Sequence, residues 1–282
     1  PLLAVGLVLA GCDSGGSNDG GGSDDDGGSS GIQESYPDPS NGTGYAEEIA
    51  INIQSAELGV RLKEDPPSSS TLTSIYDGSI SNSTTFEFLP SGVSTKQSTY
   101  GDLTVVNLED NLFSDQLTRS DELEEGVDAP SNTSPGQEKT MDELITWYLE
   151  NPKHTSSNGV DFSQFSEKGV AAALTYAKAA DILTDFADDG SVSGDAETKW
   201  NEAFGHFGAP RNFGAFFDVT DNENGGLPNG SYQDDDGNNE VDLITEAVYI
   251  WAGYAAERAA AAEATGNSNN FGAKAFNAFV NG

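Results

Sequence analysis

Glu202 and His206 stand one helical turn apart in the run Trp200-Asn201-Glu202-Ala203-Phe204-Gly205-His206-Phe207-Gly208-Ala209-Pro210. On an α-helix a carboxylate and an imidazole at this spacing share a face. There they can hold a metal together, or serve as a base and the group that orients it. The same spacing equally suits a hydrogen bond that only steadies the helix. Two ligands are too few for a metal centre, and the sequence names no third. A second group lies downstream, where Asp234, Asp236, Asn238, Glu240 and Asp242 recur at alternate positions around Gly237. Hard oxygen donors so spaced can wrap Ca²⁺. Placing Gly237 at the turn glycine of an EF-hand puts Tyr232 and Leu243 at ligand positions, so that motif fails. What is left is a calcium loop of another kind, or a solvated acidic loop beside the positive end of the next helix. Asp218, Asp221 and Glu223 could add to either. The chain has only two histidines, His154 and His206, with neither a His-Glu-x-x-His pattern nor a Walker loop. No catalytic set is complete.

These residues need elements to position them. Trp200, Ala203, Phe204 and Phe207 fall on one helical stripe, with Asp195 as N-cap and Gly208 and Pro210 as the stop, so Trp200, Phe204 and Phe207 are the expected structural anchor. Ahead of them, Ile49, Ile53, Ala56 and Val60 predict a helix within 43–63 that closes at Pro66-Pro67. Residues 72–90 hold minor extended segments, Ile75-Tyr76 and Phe86 to Leu89, as a hairpin or an ordered loop. A helical rhythm runs over 102–124, broken by Pro130 and Pro135. Thr140 to Glu143 is a capping box that opens a helix ending at Asn151-Pro152, and an Ala-rich helix covers 166–188. After Pro210 comes a long acidic loop to Asn239. A longest helix is predicted over 241–265, and a last one over 271–280. Trp147, Trp200 and Trp251, with Tyr148, Phe204 and Tyr254, sit on apolar stripes and read as core before they read as a ligand cleft. The predicted fold is all-α, a bundle of about six or more helices with long acidic loops.

Acidic residues outnumber basic ones 47 to 12, giving a net charge of -35 over 282 residues. Such a surface repels phosphate and argues against nucleic acid as a partner; it resembles the solvated surface of halophile proteins. The chain opens with a short apolar run ending in Leu9-Ala10-Gly11-Cys12, too short to span a bilayer and built like a secretory h-region. Those four residues resemble the lipobox of bacterial lipoproteins, which implies lipidation at Cys12 and attachment to membrane lipid through it. Residues 1–12 are thus read as a signal peptide that begins upstream of Pro1. Residues 13–40 are read as a flexible acidic Gly/Ser/Asp tether and 41–282 as the helical domain, with more chain expected past Gly282.

The anchor stretch, Asp236-Gly237-Asn238-Asn239-Glu240-Val241-Asp242-Leu243 with Glu246, and Ala278-Phe279-Val280-Asn281-Gly282 resemble an uncharacterised family of Bacteroidota lipoproteins related to the imelysin-like proteins. The Gly-x-His-x-x-Glu motif of imelysins proper is missing. The resemblance implies a helical domain in the cell envelope, at the periplasmic face or the cell surface, with a link to iron acquisition. It also brings the alternative of a metal-dependent hydrolase or peptidase. The expected function is a non-catalytic helical domain that binds a ligand, a metal (Ca or Fe) or a protein partner. A purely structural surface lipoprotein is the third reading.

Overall fold

The computed structural model describes residues 35–37, 43–89, 91–103, 107–112, 141–152, 162–189, 195–266 and 270–281. Cys12, Thr140, His154 and the rhythm read over 113–124 lie outside them. The described residues are mostly helical and contain no strand, so the fold is all-α. None of these helices is long and apolar enough to cross a membrane.

Helix α1, Ala46–Arg61, forms the middle of the bundle. Ile49, Ile51, Ile53 and Leu58 are buried on several sides of it, together with Asn52, Gln54, Ser55 and Glu57. A helix buried all round must satisfy its polar side chains internally. Asn52 Nδ2 accordingly donates to the carbonyls of Glu48 and Gly205. Glu57 accepts Arg61 Nε at 2.8 Å and the amides of Glu87 and Phe88. Helix α2, Ser69–Tyr76, is capped by Ser68 and packs on α1 and on α3, Met141–Glu150. Ile75 and Tyr76, expected in an extended segment, are therefore helical. Only isolated bridges, such as Thr85 with Thr99, represent the extended part of 72–90.

Helix α4, Phe162–Ala171, continues through a π-helical turn, Ala172–Tyr176, into α5, Ala177–Asp189. Helix α6, Ala196–Phe207, lies between α5 and α1. Its close approach to α1 depends on Gly205, where a Cβ would stand 2.7 Å from Glu48 Cβ and 2.8 Å from Tyr45 Cβ. Asp195 caps its start by accepting the Glu197 amide, and Gly208 ends it at φ 77°. Phe204 is fully buried at the centre of an aromatic cluster with Tyr45, Phe276 and Phe279, while Trp200 and Phe207 are half-buried against it. Trp200 Nε1 donates to the Phe279 carbonyl. Tyr36, inside the stretch read as tether, stacks on Phe204 at 3.9 Å and donates to Asn201 Oδ1. The packed body thus reaches back at least to Tyr36.

A short turn, α7 (Phe213–Phe216), interrupts the long loop. Helix α8 is Ile250–Ala264, shorter than the 241–265 expected, and α9 is Phe271–Asn281. The missing first turns have a clear cause. Amides that a helix from 241 would bond internally are taken from outside, since Val248 N donates to Ser231 O and Tyr249 N to Gly208 O. An amide given to a distant carbonyl cannot also close a helical turn. Leu243 and Ala247 are buried as expected, but Leu243 from a turn and Ala247 from an isolated bridge to Tyr232.

Candidate functional site

Helix α6 presents Glu202 and His206 as the sequence requires, yet no hydrogen bond joins them among the described residues. Glu202 Oε2 instead takes Lys199 Nζ at 2.5 Å. His206 is buried and its Nδ1 meets no partner among the described residues. Burial lowers its pKa to about 4, helped by the charges of Lys178 and Lys199, so the imidazole is neutral at neutral pH. Glu48 of α1 faces the same region. Burial raises its carboxyl to about 7, with Glu202 and Glu47 adding to the rise and Lys199 opposing it. A neutral imidazole is a competent ligand, but a metal centre needs a third donor. Among the described residues no group of three His, Asp or Glu ligand atoms gathers here. With Glu202 held by Lys199, this face does not fit an iron centre.

The acidic loop does gather ligands. Oxygens of Asp234, Asp236 and Glu246 lie within 4.8 Å of one another, Glu246 buried and the other two exposed. Glu246 organises the loop: its Oε1 accepts the amides of Asp235 and Asp236 at 3.0 and 3.1 Å, and its Oε2 accepts Asp242 N at 2.8 Å. Asp234 accepts the amides of Asn238 and Asn239, and Asp236 accepts Asn238 N and Nδ2. The base is clasped by Gln233 N to Glu246 O and Val248 N to Ser231 O, while Val241 pairs with Ser94 and Lys96. Of the expected ligands, Asp234 and Asp236 belong to the group. Glu240 does not, and the Asn238 amide is tied within the loop. Asp242 turns to Lys96 Nζ, Gln97 Nε2 and the Ile244 amide. Glu246, named only through the family likeness, closes the group. Asn239, at φ 70°, occupies the left-handed turn that a calcium loop gives to glycine. Counting from it puts Asp234, Asp236 and Asn238 at the first three ligand positions but Thr245, not Glu246, at the bidentate last one, so Glu246 joins the group outside that pattern. Three carboxylates suit a hard cation such as Ca²⁺.

A third feature had no sequence motif. A cleft of about 690 Å³ opens between α1, α4 and the start of α8, with Ser231 and Val248 from the base of the acidic loop on its wall. Trp251 and Tyr254, read as core, face it half-buried. The π-helical turn adjoins it: Thr175 Oγ1 donates to Ala171 O and accepts Trp251 Nε1, and the Tyr176 ring lies 5.4 Å from Trp251. Such turns within helices concentrate at functional sites. Lys63 and Glu167 form a 2.9 Å ion pair on its wall, joining the end of α1 to α4. The volume is that of a small-molecule site.

No family model, no curated protein and no solved structure matches the chain.

Proposed function

We propose that this chain is the ligand-binding helical domain of a lipid-anchored envelope protein, held to membrane lipid through Cys12, and that it captures a small molecule without transforming it. The observation that carries this reading is the 690 Å³ cleft set across three helices beside a π-helical turn. The lipobox-like Leu9 to Cys12 and the likeness to envelope lipoproteins support the address. A tethered receptor needs a rigid pocket on a long leash, and a cleft between packed helices supplies the rigid part.

Gly253 offers the test. It lines the cleft, and a Cβ there would meet only Val248 Cγ1, at 3.9 Å. Gly253→Trp therefore fills the cleft and leaves the bundle intact. Native mass spectrometry of the full-length protein, taken gently from envelopes, is expected to show a retained small molecule in the wild type and none in Gly253→Trp. Equal ligand content in the two forms, or none in either, overturns the reading.

The metal association has its own observation, the three carboxylates within 4.8 Å. In this reading Asp234, Asp236 and Glu246 take Ca²⁺ as a structural ion that stiffens the loop whose base borders the cleft. Calorimetric titration with Ca²⁺ is expected to give saturable heat in the wild type that is lost in Asp236→Asn. Identical heats in both remove the ion from this loop. A metal-dependent hydrolase finds less support, because Glu202 and His206 lack a third ligand.

A further inference from the structure

Resting on the reading of the cleft as a ligand site, we propose that its ligand is a small organic anion, a carboxylate or phosphate head on an aromatic body. Charge makes the first argument. Three of the twelve Lys and Arg border this one cleft: Lys63, Lys168 and Arg258. Lys63 is paired with Glu167. Lys168 and Arg258 have no ion pair among the described residues, in a chain where carboxylates outnumber cations 47 to 12. Cations left unpaired amid such an excess of carboxylates form a local reversal of the protein's field. The one carboxylate on the wall outside the Lys63 pair is Glu257, so the cleft is cationic on balance.

The second argument comes from donors without acceptors. Ser55 is 4% exposed, lines the cleft, and its hydroxyl has no partner among the described residues. A buried hydroxyl left unsatisfied costs stability unless something else accepts from it. Helix α8 begins at the same wall. Tyr249 gives it no side-chain cap, and the amides of Ile250 and Trp251 find no acceptor among the described residues. The positive end of this helix thus faces the cleft with its amides free. Ser55 Oγ, two amides, a guanidinium and an ammonium are all donors on the cleft wall, and an anionic head is the ligand chemistry that such a wall favours.

The apolar side sets the body of the ligand. Trp251 and Tyr254 lie 5.9 Å apart, with Ala56 and Val248 beside them, a wall that favours a ring. The Trp251 indole is fixed by its bond to Thr175, so the wall is preorganised.

The test uses benzoate, phenyl phosphate, benzamide and inorganic phosphate as probes of the full chain, followed by the amide resonance of Gly253 and the indole resonance of Trp251. Benzoate or phenyl phosphate is expected to shift both signals saturably, and the stronger of the two identifies the head group. Benzamide, of the same shape but neutral, is expected to bind about tenfold more weakly. Lys168→Gln with Arg258→Gln is expected to remove that advantage and leave benzamide unaffected, and raised salt to act in the same direction. Benzamide binding as well as benzoate, or anion binding untouched in the double variant, overturns the anionic ligand while the cleft stands as a site. Inorganic phosphate shifting both signals as strongly as phenyl phosphate overturns the aromatic body. If no probe at millimolar concentration moves either signal, the aromatic anion and the reading of the cleft fall together.

Discussion

Replacing Glu246 removes the residue that holds the acidic loop in shape. Its carboxylate is 6% exposed and accepts three backbone amides, from Asp235, Asp236 and Asp242. Hydrogen bonds to a charged acceptor are worth about 1.5–3 kcal/mol each. Asp235 and Asp236 are exposed, so their amides regain water when the acceptor goes and cost about 1 kcal/mol apiece. The half-buried Asp242 amide, locked between Lys96 and the core, costs about 2 kcal/mol. Glu246→Ala is therefore expected to lose about 4 kcal/mol, a large share of the 5–15 kcal/mol typical of a domain. Glu246→Gln keeps one oxygen and loses about 2 kcal/mol. Guanidinium unfolding reads the difference as a lower midpoint at unchanged slope, and hydrogen exchange at 235, 236 and 242 localises it. Calcium supplies the second arm. At a free concentration of a hundred times Kd, an ion bound only by the folded state adds about 2.7 kcal/mol, and Glu246→Gln should forfeit that gain. A loss below about 1 kcal/mol in the alanine variant, or unchanged exchange at Asp242, would refute the assignment of the loop to Glu246.

Two opposed contributions to stability against pH overlap and largely cancel between 4.5 and 6.5, so each is expected to emerge when the other residue is replaced. The carboxyl of Glu48 rises from 4.5 to about 7, so the folded state keeps a proton that the unfolded chain gives up, and stability falls as pH climbs from about 4.5 through 7. Glu48→Gln should remove this fall and stabilise the protein above neutral pH by about 2–3 kcal/mol, read from urea midpoints across the range. His206 acts in the opposite direction over nearly the same range. Its pKa falls from 6.5 to about 4, so the unfolded chain binds the proton first and stability is lost as pH drops from 6.5 towards 4, a loss that His206→Gln should abolish. Gly205→Ala forces a Cβ to within 2.7 Å of Glu48 and 2.8 Å of Tyr45, and should lower the melting temperature by the equivalent of about 2–4 kcal/mol. An unshifted melt would mean that α1 and α6 part freely. Phe204→Ala empties a fully buried site and should cost about 3–5 kcal/mol, against clearly less for the half-buried Phe207→Ala; equal losses would contradict the packing described.

How far these features can be read from sequence depends on where their partners lie. Helix α6 is readable because its stripe, its Asp195 cap and its Gly208 stop are all local. Helix α1 yields only one apolar stripe. Asn52 and Glu57 look like solvent residues until Gly205 O and the amides of Glu87 and Phe88, all distant in the chain, turn out to satisfy them. The start of α8 misleads for the same reason. Val241 to Tyr249 has a helical rhythm, but Ser231 takes the Val248 amide and Gly208 that of Tyr249, so the rhythm is buried without forming the helix. In the acidic loop the alternation at Asp234 and Asp236 is visible, whereas Glu246 hides inside what reads as a helix. The cleft is the extreme case. Ser55, Lys168 and Arg258 come from three helices, and each alone passes for an ordinary helix residue. In so acidic a chain, composition cannot single out the carboxylate that matters. The fold does so, by the amides it brings to Glu246, and it marks Lys168 and Arg258 in the opposite way, by forming no ion pair with either among the described residues.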